Sequence, residues 1–457
     1  MPGRRQIGTT RDMTEGSIVK QMVLFALPLM IGNIFQMLYN TVDSVVVGQY
    51  VGKEALAAVN STTMIINMLV YFFNGFSVGA GVVIARYFGA RENDRLHNAV
   101  ETAVAATFGF CVLFTIVGIA GVRPMLRMMS TPDDVMPEAV TYLKIYFTGI
   151  SGLLIYNMGS GILRAVGDTA RPLFFLILTS MLNIALDLLF VLAFHMGIVG
   201  VAWATVLAQL ISAVLVLTLL TRADDIYYLS WKDLRLDSGM LRKIFDVGLP
   251  AGIQSVITAF SNTFVQAYIN FFGSSCMAGW GCYNKLDMFI MLPMSTLAMA
   301  ATTFVSQNIG AGKEDRANRG TVTAILLSSG VTAVIATGLY VFAEPAIRLF
   351  SRDASVIEFG VLFLHANVYY LLFNCVNHVL AGALRGRGDS RGPMVIMLMT
   401  FVALRQIYLF VVTRYVANTP FLVGFGYPVG WMACFLIEVG YFFIRWGTKA
   451  NRIPDLE

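Results

Sequence analysis

The chain has 457 residues, of which 57% are hydrophobic and only 13% are charged, and its mean hydropathy is +0.70. A soluble domain carries about 25% charged residues, and a disordered chain combines low hydrophobicity with high charge, so both classes are excluded. The net charge of +5 fits basic loops on one face of a membrane, so we expect a lipid bilayer as environment and no nucleic-acid partner.

Twelve continuous apolar segments, each long enough for a membrane helix of about 20 residues, follow one another along the chain. They are 18–48, 55–84, 98–121, 137–162, 172–195, 198–220, 244–272, 277–303, 320–342, 357–384, 393–415 and 422–446. We therefore predict an all-α polytopic membrane protein with twelve transmembrane helices in two six-helix lobes. The predicted parts are an N-terminal tail 1–16, an N-lobe 17–221, a polar linker 222–243, a C-lobe 244–447 and a C-terminal tail 448–457.

The two halves of the chain repeat each other at an offset of 221 residues. The loop 89–95 after the second segment matches 310–316 after the eighth, and 163–172 after the fourth matches 384–393 after the tenth. Because each repeat has an even number of helices, both enter the membrane from the same face. The pseudo-two-fold axis is therefore predicted to lie along the membrane normal.

The second pair of repeated loops has the residues of a helix end followed by a helix start. Gly167 and Gly388 suit a helix C-terminus, and Asp168 and Asp389 suit the cap of the next helix. We interpret both loops as structural.

Lysine and arginine are unevenly divided between the two sides of the predicted bundle. With the N-terminus inside, 23 of the 32 fall on the inner side, 6 fall outside and 3 lie within segments. This bias predicts cytoplasmic N- and C-termini in the plasma (inner) membrane. The first segment follows Arg4, Arg5 and Arg11 and is longer than the apolar region of a signal peptide, so we do not expect cleavage.

Polar side chains form stripes on four of the N-lobe segments, where an ionisable group costs about 2.5–3.5 kcal/mol at helix centre. The stripes are Asn33, Gln36, Asn40 and Asp43 on the first segment, Asn60, Thr63, Asn67, Tyr71 and Asn74 on the second, Ser180, Asn183 and Asp187 on the fifth, and Thr205, Gln209 and Ser212 on the sixth. By helical rise, Asp43, Asp187 and Thr205 can converge in the outer half of the first repeat. We predict a hydrated site there.

The chemistry of that site suits a coupling ion. Two carboxylates, an amide oxygen and a hydroxyl are hard ligands for an alkali cation, and one buried carboxyl can instead carry a proton. At the repeat offset the positions equivalent to Asp43, Asn183 and Asp187 are Phe264, Leu404 and Tyr408. The ion function is therefore expected in the first half only.

Other polar residues within the segments are candidates for binding substrate, with interhelical hydrogen bonding as the alternative interpretation. The candidates are Asn33, Gln36, Asn40, Asn67, Asn157 and Asp287. A functional and a structural role are both open for Asp287, whereas Arg405 and Glu438 are interpreted as structural. The 24 methionines and 33 phenylalanines suit walls around varied apolar cations.

Over 17–447 the chain resembles the multidrug and toxic compound extrusion (MATE) family. The matching motifs are Leu27-Pro28, 41–48, 89–91, 163–168, 183–187 and 307–312. The resemblance implies two lobes around a V-shaped cavity and efflux of organic cations in exchange for protons or sodium. We expect no cofactor beyond the coupling ion, H+ or Na+, and a protein that functions as a monomer.

The resemblance also implies an ion site in the N-lobe. The family's helix 1 aspartate, helix 5 Asn-x-x-x-Asp and helix 6 threonine map onto Asp43, Asn183, Asp187 and Thr205, which would also hold sodium if sodium is the ion. A backbone carbonyl of helix 6 maps near Val201. Some members have an acidic residue midway along helix 7; here 261–263 has none, and Asp287 is the suggested replacement.

Two other classes of function are alternatives to an antiporter. A flippase or exporter of a lipid-linked or polyprenyl-linked precursor belongs to the same wider superfamily, but it would favour a basic cavity and more helices. A membrane enzyme is disfavoured, because the chain has only four histidines and no HExxH or Walker A motif.

Overall fold

The computed structural model describes residues 10–129, 131–223 and 225–446. Within those residues the regular structure is entirely helical. Eleven helices in the described chain are long and apolar enough to cross a membrane, and a bent pair makes a twelfth span. The predicted fold class is thus confirmed. The predicted C-terminal tail 448–457 and residues 1–9 of the N-terminal tail lie outside the described residues.

The spans agree with the predicted segments to within seven residues at each end and mostly extend beyond them, because the polar ends remain helical. The spans are α1 (Ile18–Val51), α2 (Lys53–Ala90), α3 (Asn93–Met128), α4 (Met136–Thr148 and Ile150–Ala165, bent by 49°), α5 (Ala170–Ala193), α6 (Gly197–Arg222), α7 (Ser238–Asn270), α8 (Ser274–Gly310), α9 (Glu314–Val341), α10 (Ala354–Gly386), α11 (Arg391–Val416) and α12 (Pro420–Trp446). A short helix, Ala343–Arg348, lies between α9 and α10.

The described chain forms two compact units. Unit 1 contains 10–13 and Leu27–Gly252, and unit 2 contains Thr14–Ala26 and 253–446. The division passes through α1 and α7, so these units differ from the predicted lobes at the start of each of those helices. Each division point lies within two residues of a helix proline, Pro28 or Pro250, where the helix lacks one backbone hydrogen bond.

The repeated loops after α4 and α10 have the predicted capping structure. Gly167 and Gly388 have φ values of +84° and +91°, in the left-handed region that closes a helix. Asp168 Oδ1 accepts a hydrogen bond from the backbone N of Arg171 (3.2 Å), and Asp389 Oδ1 accepts one from Gly392 N (3.0 Å). The predicted capping role of both loops is confirmed.

Within unit 1, α2 crosses the beginning of α7 through glycines spaced four residues apart. Gly75 and Gly79 on α2 face Gly248 and Gly252 on α7. A Cβ atom on Gly248 would come within 2.9 Å of Gly75 O, and one on Gly252 within 2.8 Å of Phe72 O. Small residues at this spacing are what allow membrane helices to approach so closely.

The linker between α6 and α7 is folded onto unit 1 rather than extended away from it. Tyr227 and Leu229 are buried. Arg171 donates a hydrogen bond to the Tyr227 hydroxyl (3.0 Å), and Asn98 on α3 donates to Asp237 Oδ2 (3.1 Å). This docking places the charged linker residues beside the first turns of α3.

The described part of the predicted N-terminal tail is also packed. In unit 1, Arg11 N donates to Val166 O (3.2 Å), and Met13 is fully buried. In unit 2, Lys313 Nζ donates to Thr14 O (3.0 Å). The residues directly before α1 therefore take part in the fold.

Candidate functional site

The carboxyl groups of Asp43 on α1 and Asp187 on α5 are neighbours that interact electrostatically. Asp187 is only 1% exposed, and Asp43 is half-buried. Among the described residues no donor reaches Asp43 Oδ1 or either carboxylate oxygen of Asp187. Two neighbouring ionised carboxylates repel each other, so this pair suits the binding of a proton or another cation.

An irregularity of the backbone follows each of the two aspartates. Asp43 lies four residues before the π-helical turn Val47–Val51, and Asp187 lies two residues before the π-helical turn Leu189–Ala193. The two turns contact each other. Because π turns inside helices occur frequently at functional sites, this contact marks the carboxyl pair as a specialised part of unit 1.

The polar stripe on α5 faces the interior of unit 1. Ser180, Asn183 and Asp187 are all buried. Within the described residues, Ser180 Oγ and Asn183 Nδ2 have no hydrogen-bond partner. Buried polar atoms without protein partners are costly, so a stripe of them suits a site that holds water or an ion.

The remaining predicted ion ligands lie on α6, which packs against α5. Thr205 Oγ1 donates a hydrogen bond to the backbone oxygen of Val201 (3.1 Å), and Val201 is fully buried. The hydroxyl proton therefore points along the helix, which leaves the lone pairs of Thr205 Oγ1 and the second lone pair of Val201 O available to a cation.

Tyrosines surround the carboxyl pair, and the sequence analysis missed them. Tyr39 on α1 interacts electrostatically with Asp43, and Tyr142 on α4 interacts electrostatically with both aspartates. The rings of Tyr142 and Tyr146 are stacked with centroids 6.4 Å apart. Helical spacing could have indicated them, because Tyr39 precedes Asp43 by four residues and Tyr142 precedes Tyr146 by four, which places each pair on one helix face.

The six predicted substrate-binding residues are not brought together in one unit. Asn33, Gln36, Asn40, Asn67 and Asn157 belong to unit 1, whereas Asp287 belongs to unit 2. Asn157 differs from the others because its Nδ2 donates to Leu153 O of its own helix (3.0 Å).

The other asparagines and the glutamine form part of the outer face of unit 1. Gln36, Asn40 and Asn67 are exposed, and Asn33 is half-buried. Polar side chains on a membrane helix avoid hydrocarbon, so this face suits contact with water.

The equivalent part of unit 2 carries a positive charge. Arg405 on α11 is 2% exposed, and its Nη2 donates to Ser261 Oγ (2.7 Å) and to Asn262 Oδ1 (3.0 Å) on α7. Its guanidinium also lies over the ring of Tyr427, 4.5 Å from the centroid. The stretch 261–263, which has no carboxylate, thus accepts hydrogen bonds from a buried cation.

Asp287 in unit 2 has a different environment from the pair in unit 1. It is half-buried and interacts electrostatically with Tyr283 and Tyr427. Its Oδ1 has no hydrogen-bond partner among the described residues. Among the residues that the structure describes, no second carboxylate interacts with Asp287, so the paired arrangement of Asp43 and Asp187 has no copy around it.

Comparison with known proteins places the chain in one family. The MatE family model matches residues 28–189 and 250–411, one stretch in each repeat. The chain is 28% identical to the probable multidrug resistance protein YpnP of Bacillus subtilis (strain 168) over 443 residues, 97% of this chain and 98% of that protein. It is 27% identical to the probable multidrug resistance protein YoeA of the same organism over 448 residues, 96% of each chain.

Solved structures share the fold. A MOP superfamily transporter from Pyrococcus furiosus, described as having a binding pocket of reverse polarity, superposes with a TM-score of 0.90 at 22% identity, over 97% of this chain and 98% of that one. An outward-facing multidrug resistance MATE family transporter gives a TM-score of 0.89 at 22% identity, with the same coverage. With the family model matching most of both repeats, the chain belongs to the MatE family of membrane transporters.

Proposed function

We propose that this transporter is a secondary antiporter that exports organic cations in exchange for protons or sodium ions. The observation that carries the proposal is the interaction between the carboxyl groups of Asp43 and Asp187, in which Asp43 Oδ1 and both carboxylate oxygens of Asp187 have no hydrogen-bond donor within the described chain. Such a pair needs a cation to be stable inside a membrane protein.

Exchange follows from competition for this negative charge. When a proton or sodium ion occupies the pair, its attraction for a cationic substrate is reduced, and when the ion leaves, the attraction returns. Ion and substrate then favour opposite states, which is the condition for exchange without leakage of the ion gradient. Asn183, Thr205 and the carbonyl of Val201 are the further ligands proposed for the ion.

Two observations favour organic cations as the substrate class. The relatives named above are probable multidrug resistance proteins, which suggests drug-like compounds. Tyrosines near the carboxyl pair and the exposed polar face of α1 and α2 suit a cation with aromatic or amide groups. We propose Asn33, Gln36, Asn40 and Asn67 as substrate contacts, and a minor role for Asn157, whose side chain is already hydrogen-bonded.

The direction of transport depends on orientation. The excess of lysine and arginine on one side supports cytoplasmic termini in the plasma (inner) membrane. The coupling ion would then move inward as the substrate moves out. Each chain contains a full pair of repeats, which supports function as a monomer.

Efflux from proteoliposomes tests the proposal. The purified protein is reconstituted, a fluorescent organic cation such as ethidium is loaded, and a pH gradient without sodium or a sodium gradient at equal pH is imposed. We expect one of the two gradients to accelerate transport, and a matching ionophore to abolish the acceleration. The control is liposomes without the protein. If transport had the same rate in these liposomes as in proteoliposomes with either gradient or with none, ion-coupled export of organic cations would be ruled out.

A further inference from the structure

A second cluster of charged and ligating side chains lies away from the carboxyl pair, where the linker meets α3. His97 Nε2 lies 2.7 Å from Glu101 Oε1, one helical turn along α3. Asp233 of the linker joins them, so that a ligand atom from each of the three residues lies within 4.8 Å of the other two. All three residues belong to unit 1.

Glu101 is the unusual member of this cluster. It is only 1% exposed although it carries a carboxylate. Its Oε1, which faces His97, receives no hydrogen bond of acceptable geometry within the described residues. The nearest other cation is Arg235, whose Nε lies 3.9 Å from Oε2 and whose side chain is 68% exposed. When the imidazole of His97 is neutral, as it is when it binds a metal, Glu101 has only this distant cation beside it and therefore has capacity for a further positive charge.

The linker residues and the candidate ligands are held in place by contacts with neighbouring side chains. Asp237 accepts a hydrogen bond from Asn98 and its backbone N donates to Thr102 Oγ1 (3.3 Å). The ring of Tyr228 stacks on His97 with centroids 4.5 Å apart. Ser230 donates to Asp233 Oδ2 (2.7 Å). The three candidate ligands are thus fixed before any ion binds, which lowers the entropic cost of binding.

We propose that His97, Glu101 and Asp233 bind a divalent transition-metal ion of the Zn²⁺ type, which fastens the linker to α3. One imidazole nitrogen and two carboxylate oxygens form a common ligand set for zinc, with water completing the coordination. The imidazole selects against Mg²⁺ and Ca²⁺, which prefer oxygen ligands. This site shares no residue with the Asp43–Asp187 pair, so it stands independently of the proposed transport function.

Arg235 allows a test in which a substitution is expected to increase the affinity for the metal. Its guanidinium interacts with the same carboxylate that the metal requires, so it competes with the metal for Glu101. Removing that charge in Arg235→Gln should strengthen metal binding, whereas removing a ligand should weaken it. A cluster that served only as an ion pair would show neither effect.

The experiment is a zinc titration of the full-length protein, purified in detergent and stripped with a chelator. Isothermal calorimetry and thermal unfolding are expected to show one site and a Tm that rises with zinc concentration. Zinc binding should weaken at least about tenfold in each of three ligand variants, His97→Asn, Glu101→Gln and Asp233→Asn. Arg235→Gln should tighten it several-fold, and magnesium should leave Tm unchanged.

Histidine variants elsewhere provide the matched control. His195→Asn and His365→Asn remove surface-accessible imidazoles far from the linker in sequence and should leave zinc affinity unchanged. Should Glu101→Gln fail to fold, Asp233→Asn and Arg235→Gln still decide the question, because both side chains are exposed. The proposal would be overturned if the wild-type protein did not bind zinc. It would also be overturned if Asp233→Asn and Arg235→Gln left the zinc affinity unchanged.

Discussion

Asp43 and Asp187 come from the first and the fifth membrane helix, yet their carboxyl groups interact electrostatically, and the π-helical turns that follow them contact each other. The position of each carboxylate therefore depends on an irregular backbone segment directly beside it. A change in either turn would move one carboxylate relative to the other, which would alter how tightly the pair holds a cation.

Replacing Asp43 by asparagine is expected to lower gradient-driven efflux at least about tenfold, because the pair loses the charge that distinguishes its ion-bound from its ion-free state. Yield and Tm in detergent should stay close to wild type. Asp287→Asn is the matched control, since it removes a membrane-embedded carboxylate of unit 2 and should retain the ion dependence. Wild-type rates for Asp43→Asn under both gradients would contradict the assignment of the ion site.

The two repeats should respond differently to substitution at equivalent positions. Asn183→Ala and Asp187→Asn should impair coupling, because both side chains have polar atoms without protein partners in the described chain. Leu404→Met and Tyr408→Phe, at the equivalent positions of α11, should leave coupling intact. Ion-driven efflux measured for all four variants checks this, and equal loss in both pairs would refute an ion site confined to unit 1.

Gly388→Ala is expected to destabilise the protein by about 1–2 kcal/mol, because its φ of +91° is unfavourable for a residue with a Cβ atom. The measurement is Tm in detergent. Gly440→Ala is the control, because it lies within α12 and its Cβ would meet no atom within 4 Å. That variant should be neutral or slightly stabilising, and an equal loss of Tm in both would contradict the capping role of Gly388.

Asp237 at the start of α7 should make stability depend on pH. Hydrogen bonds from the backbone of Met240 and from the Asn98 side chain hold the pKa of Asp237 below its usual value of 3.8. A depressed pKa means that the ionised form stabilises the fold above pH 3.8 and that this contribution is lost as the pH falls further. The Tm difference between wild type and Asp237→Ala should therefore be present at pH 7 and shrink in strong acid. A difference that grew on acidification would have the wrong sign.

Periodicity and composition predict much of this protein because membrane helices must satisfy their own backbone hydrogen bonds within apolar stretches. The twelve spans, the capping of Gly167 and Gly388, and the meeting of Asp43 with Asp187 follow from segment length, loop motifs and helical rise. The π turns 47–51 and 189–193 do not, because their residues, VGQYV and LFVLA, also occur in regular helices, and the contact between the two turns joins distant parts of the chain.

The packing of the linker on α3 could not be predicted from the sequence either. The polar composition of 222–243 indicates a loop but not that Tyr227 is buried or that Asp233 approaches His97. Similarly, Tyr142 carries no local sign that it faces two aspartates on other helices. These relationships depend on tertiary contacts between residues far apart in the chain, which helical spacing alone does not encode.

The central claim is that the Asp43–Asp187 pair binds the coupling cation in competition with the substrate. Its most direct test is equilibrium binding of an organic cation to the purified protein, measured against pH without sodium and against sodium at fixed pH. In the wild type, affinity should fall as one of the two ions increases. In Asp43→Asn, Asp187→Asn and the double variant that dependence should disappear, with the double variant no worse than either single one. An ion dependence that persists unchanged in the double variant would contradict the claim.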